Sequence, residues 1–146
     1  MMRFAPLLIA LFLTACSEPQ PPLVASDVEV TRPMPGMKMS AAFFVLTNNT
    51  DEPIRITSVT SPQFATVEIH ETMIEDGIAR MRELDALVVP PSGSVTLERG
   101  GKHLMLMRPG ELGDRVALQL MSDDAPLLTI DYLFASESAP GDDDAR

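Results

Sequence analysis

The sequence predicts an all-β domain, a sandwich or barrel of seven to nine short strands. Three observations carry that expectation. Apolar and polar residues alternate with a period of two, as they do in half-buried strands. Turn-forming clusters recur about every ten residues, the spacing of sandwiches and barrels. No stretch holds apolar residues at helical spacing, and no internal repeat is visible.

The strands follow in order. Val28 and Val30 alternate with Asp27, Glu29 and Thr31. Residues 41–47 form a mostly apolar run of strand formers, closed by a turn cluster over residues 48–53. Ile54, Ile56 and Val59 mark the next strand. Val67 and Ile69 then alternate with Glu68 and His70. Glu75-Asp76-Gly77 is a hairpin signal, and residues 78–84 return from it. Pro90-Pro91-Ser92-Gly93 and Arg99-Gly100-Gly101 bracket a short strand at residues 94–97. Residues 103–107, 115–121 and 127–134 complete the set.

The two ends read differently from this middle. Arg3 precedes an unbroken apolar run over residues 4–13. A membrane-spanning helix needs about 20 such residues, so this half-length run fits the core of a secretory signal over residues 1–15. It leads into Leu13-Thr14-Ala15-Cys16, which resembles a bacterial lipobox with Cys16 as the lipidated residue. Ser17 follows where Asp would signal retention at the inner membrane, so the outer membrane of a two-membrane cell is favoured. Residues 16–26 are expected to be a tether, with Pro19, Pro21 and Pro22 keeping it open. The β domain is assigned to residues 27–135. Residues 136–146, with Glu137, Asp142, Asp143 and Asp144, read as a disordered acidic tail.

Composition excludes several function classes. Eleven Lys and Arg against 21 Asp and Glu give a net charge of −10 over 146 residues. Nucleic acid is therefore not an expected partner, since phosphate binding needs clustered cations. The single Cys lies at the expected lipidation site, which excludes an internal disulfide or a multi-Cys zinc site. A blue-copper electron carrier, which needs a Cys ligand, is excluded for the same reason. No Ser-His-Asp constellation or Gly-rich phosphate loop points to an enzyme.

The candidate site rests on the two histidines and on Met. Of ten Met, eight lie beyond residue 15. In Lys102-His103-Leu104-Met105-Leu106-Met107, strand alternation sends Leu104 and Leu106 to the core and His103, Met105 and Met107 to the other face. A two-residue hairpin loop at Glu75-Asp76 sets His70 opposite Met81. One at Asp76-Gly77 makes them diagonal neighbours. Both registers keep them on one face, within about 8 Å at Cβ, whereas a three-residue loop would put them on opposite faces. The first also pairs Glu71 with Arg80 and Val67 with Leu84. Imidazole nitrogen with thioether sulfur selects copper, above all Cu(I), with Cu(II) as the second oxidation state. Zinc prefers Cys, His or carboxylate, and calcium and magnesium want oxygen.

The spacing is specific. Ten residues separate His70 from Met81, 21 separate Met81 from His103, and one separates His103 from Met105. This resembles the His-x10-Met-x21-His-x-Met motif of the periplasmic copper chaperones called PCu(A)C, and the likeness extends over residues 28–133. The resemblance implies a cupredoxin-like β domain that binds Cu(I) through His70, Met81, His103 and Met105. It implies delivery of copper toward the dinuclear centre of cytochrome c oxidase, with the oxidase copper subunit or a Sco-type protein as partner. A lipid anchor at Cys16 and an acidic tail without His or Met depart from many relatives.

Met107, Met73 and Met39 are auxiliary candidates, and Glu68, Glu71 and Glu83 could orient a ligand histidine. Met34, Met37 and Met39 flank a Pro35-Gly36 turn; a Met loop there could shield the site or help pass Cu(I) along, but a turn with Met packing at its edges is the favoured reading. The alternatives to delivery are a copper-buffering or resistance lipoprotein and a structural lipoprotein without metal.

Overall fold

The computed structural model describes residues 20–134. Residues 1–15, Cys16 and the acidic tail from residue 136 lie outside them. Eleven strands and no helix form the described part. They are β1 (Leu23–Val30), β2 (Met39–Asn48), β3 (Ile54–Ile56), β4 (Ser58–Thr60), β5 (Phe64–Glu75), β6 (Ile78–Glu83), β7 (Leu87–Val89), β8 (Ser94–Leu97), β9 (Lys102–Pro109), β10 (Arg115–Ser122) and β11 (Ala125–Leu133).

The main sheet has the order β1-β2-β9-β5-β6, with β8 pairing the second half of β2. A second sheet has the order β11-β10-β4, and β3 pairs β7 in a small third one. The barrel alternative is not realised, because the main sheet ends on β1 and β6 and does not close on itself. The expected seven to nine strands become eleven for two reasons. The segment from Ile54 breaks at Thr57 into β3 and β4, and β7 was not foreseen. Three residues are too few to display a period. The first strand begins at Leu23, so residues 23–26 of the expected tether belong to the sheet, paired with residues 45–48.

Alternation places the core. Ala42, Phe44 and Leu46 of β2, Leu104 and Leu106 of β9, and Ile69 of β5 are buried on one face of the main sheet. Val116, Leu118 and Leu120 of β10 and Ile130 of β11 belong to the same cluster from the second sheet. Burying each of these side chains except the small Ala42 is worth about 1.5–3 kcal/mol. Along the middle of β2, β5 and β9 the residues of the opposite parity are thereby turned to the outer face, while Phe64 at the start of β5 still packs into the core. That face carries the candidate ligands.

Asn48 closes one end of this sandwich. It is a buried polar side chain whose Nδ2 donates to the carbonyls of Glu52, at 2.7 Å, and Pro90, at 3.1 Å. Its Oδ1 accepts from the Thr50 amide and hydroxyl at 2.9 and 2.8 Å. These bonds offset the cost of burying an amide and tie the end of β2 to two turns.

Candidate metal centre

The β5–β6 hairpin turns through Asp76 and Gly77, with φ of 53° and 77°. Two adjacent positive φ values define the Asp-Gly hairpin turn, whose twist matches the flanking strands. Of the loops open to the sequence, the structure takes the two-residue one at Asp76-Gly77. His70 pairs Glu83, Glu71 pairs Arg82 and Thr72 pairs Met81. The pairs Glu71 with Arg80 and Val67 with Leu84 do not form, because the turn sits one residue further on. Met81 is therefore a diagonal neighbour of His70 on the same face, and Glu83 stands directly opposite His70.

Strand β9 lies on the other side of β5. His70 pairs His103, Glu68 pairs Met105 and Thr66 pairs Met107. On the far side of β9, Ala41 pairs Met105 and Met39 pairs Met107. Side chains at directly paired positions share a face. One outer face thus carries Met81, His70, His103, Met105, Met107 and Met39 across four adjacent strands. Met81 and Met105 flank the histidine pair from opposite ends. Met73 does not join them. It pairs Arg80 and points to the other side of the sheet, one residue out of phase with His70.

The two imidazoles are 6.1 Å apart between ring centroids, with planes inclined at 55°. His103 is buried although it lies on the outer face, since Phe43 packs 6.3 Å from its ring and the Arg99 guanidinium caps Phe43 at 4.7 Å. Nδ1 of His103 lies 3.1 Å from the Gly101 carbonyl oxygen. A carbonyl only accepts, so Nδ1 carries the proton and Nε2 keeps its lone pair. The same carbonyl accepts the Thr72 amide at 3.0 Å, locking the turn before β9 to β5.

His70 is held the other way round. Its Nε2 lies 2.9 Å from Glu68 Oε2, so Nε2 donates and Nδ1 is the lone-pair nitrogen. Nδ1 is buried with no hydrogen-bond partner among the described residues. A buried nitrogen left unsatisfied is costly unless something else takes its lone pair. Glu68, His70 and Glu83 offer ligand atoms within 4.8 Å of one another. Two carboxylates thus stand beside the His70 imidazole.

Beneath this face a charged triad joins the same three strands. Glu71 on β5 accepts from Arg82 on β6 at 2.9 Å and from Lys102 on β9 at 2.8 Å. The Lys102 hydrogen bond, then the one from Arg82, holds the Glu71 carboxyl below the usual carboxylate range. Phe43, Arg99 and the Gly101 carbonyl were not legible as parts of the site. Their roles come from pairings between strands far apart in sequence.

The open sandwich resembles the solved structures of PCuAC domains. The copper-bound PCuAC domain from PmoF2 aligns with a TM-score of 0.63 at 23% identity, covering 77% of this chain and 92% of that one. The solution structure of CuI-DR1885 from Deinococcus radiodurans aligns with a TM-score of 0.58 at 28% identity, covering 86% and 85%. The chain itself belongs to the LpqE-like family, described as "Putative lipoprotein LpqE-like", whose model matches residues 23–132. A relative in Leifsonia xyli subsp. xyli, "Putative lipoprotein Lxx21020", is 30% identical over 129 residues, 80% of this chain and 78% of that protein.

Proposed function

We propose that this protein is a non-enzymatic, extracytoplasmic Cu(I) carrier. His70, Met81, His103 and Met105 hold one ion, His70 through Nδ1 and His103 through Nε2. The observation that carries this reading is the cross-strand pairing of His70 with His103, with an orphaned, buried Nδ1 on one of them and a Met at each end of the pair. Neutral nitrogen and thioether donors suit a soft monovalent ion. The copper-bound PmoF2 domain and CuI-DR1885 support it by likeness. A face that is open on one side allows an acceptor's donors to displace these ligands one at a time, so the ion moves without redox chemistry.

The destination we propose is the dinuclear copper centre of cytochrome c oxidase, reached through its copper subunit or a Sco-type partner. Copper buffering is the alternative that uses the same site. Lipidation of Cys16 would hold the carrier at a membrane facing the periplasm, the outer one being favoured, and the lipoprotein names of the relatives support an anchor.

Anaerobic Cu(I) titration against a coloured chelator tests the reading. The protein is expected to hold one tight equivalent that the Met81→Ala, His103→Ala double variant loses. No competition with the chelator by the unaltered protein would leave a structural lipoprotein as the better account. The carboxylates beside His70 favour Cu(II) as a second reading, since Glu68 and Glu83 add harder donors to an imidazole. Loss of a Cu(II) paramagnetic signal in Glu83→Gln would support it.

A further inference from the structure

Eight large apolar side chains are exposed among the described residues, and four of them are Met: Met34, Met37, Met39 and Met81. Met81 is assigned above. The other three gather at one edge of the ligand face, where Met39 opens β2 and pairs directly with Met107 of β9. Paired positions bring Cβ atoms to about 5 Å, and the flexible Met stem lets two sulfurs converge from there. Met39 is 49% exposed, so it is not filling the core. The pairing continues past it, with the Arg108 amide donating to the Lys38 carbonyl at 2.8 Å. Met37 lies two residues before Met39, at the end of a turn closed by its own amide on the Met34 carbonyl at 2.9 Å. Gly36, at φ 84°, makes that turn possible.

We propose that Met39 and Met107, completed by Met37, form a second metal site that takes Cu(I) or another soft monovalent ion. Its donors are thioethers alone, which carry no charge and select soft ions. Arg108, hydrogen-bonded to Thr66 on the far side of Met107, adds a positive charge nearby and works against hard divalent ions. Met105 lies two residues from Met107 on the same face, so it stands between this edge and the histidine pair. The thioether site is thus the outer station and the histidines the inner one. The inference rests on Cu(I) being the cargo.

The test is a titration of the full-length protein with Cu(I) under anaerobic conditions, repeated with Ag(I), read by the Met methyl signals. The expected result is two steps. Met81 and Met105 methyls move over the first equivalent, and those of Met37, Met39 and Met107 over a second, weaker one. In the Met39→Leu, Met107→Leu variant the second step disappears and the first remains. In His70→Ala, His103→Ala the thioether step persists. Methyl signals of Met39 and Met107 that stay still through several equivalents would overturn the proposal without any variant, as would a second step that survives the double Leu substitution. If the Met39 and Met107 methyls move while those of Met81 and Met105 do not, the outer site stands and the histidine site proposed above fails.

Discussion

His70 and His103 are direct cross-strand partners whose free lone pairs sit on different ring nitrogens. Glu68 fixes one tautomer and the Gly101 carbonyl fixes the other. A carboxylate on the remote nitrogen raises the basicity of the ligating one and sets the ring's orientation. Glu68→Gln is therefore expected to weaken Cu(I) binding by about 10–100-fold, the usual effect of losing such a partner. Chelator competition measures this, and an unchanged affinity would remove Glu68 from the site.

Oxidation offers a separate check on the thioether ligands. Conversion of Met81 and Met105 to sulfoxide replaces a soft sulfur with a polar group. Affinity should fall after oxidation confirmed by mass spectrometry, and methionine sulfoxide reductase should restore it. Equal affinity before and after would remove both as ligands.

Glu71 makes stability depend on pH in a stated direction. Its carboxyl is held below the ordinary range by Lys102 and Arg82, so it is stabilising while ionised. That contribution is complete above the unfolded-state pKa and is lost as pH falls through the lowered folded-state value. Glu71→Gln should be less stable than the parent at pH 7, with the gap closing on acidification. A gap that stays constant into the acid range would show that the triad does not act through charge.

Gly77 controls the hairpin register that carries Met81. An added Cβ would meet nothing within 4 Å, so the cost of Gly77→Ala is purely conformational, about 1–2 kcal/mol for a positive φ. Gly77→Asn should recover most of this, because Asn tolerates the left-handed region. Chemical denaturation distinguishes the two, and equal losses would argue against a left-handed residue at the turn.

Asn48→Ala should cost about 2 kcal/mol, since it leaves the partners of a buried amide without replacements. Denaturant unfolding should show this with copper affinity unchanged, because Asn48 is remote from the ligand face.

The all-β class was legible from alternation, and so was the hairpin, but not the choice among its two-residue and three-residue loops. Pairing Glu71 with Arg80 looked sensible, yet Glu71 meets Arg82 equally well in the register that the Asp-Gly turn imposes. Turn geometry decided, because only Asp76 and Gly77 together take the positive φ values. Met73 stands apart from the other auxiliary candidates for a simpler reason: its odd position on β5 sends it to the face away from His70. Met39 and Met107 could be named, but not paired, since nothing in a local pattern says that β2 lies beside β9.

What the sequence by itself determined was the content of each face. A period of two divides every strand into a buried set and an outer set, and this separated His103, Met105 and Met107 from Leu104 and Leu106 before any partner strand was known. The tertiary structure decided which outer sets meet. Strand order β2-β9-β5-β6 is a long-range outcome of packing two sheets around one core, and it alone sets His70 against His103 and Met39 against Met107. The tautomers were likewise undetermined until Glu68 and the Gly101 carbonyl were in place, because a ring nitrogen's proton follows the hydrogen bond available to it.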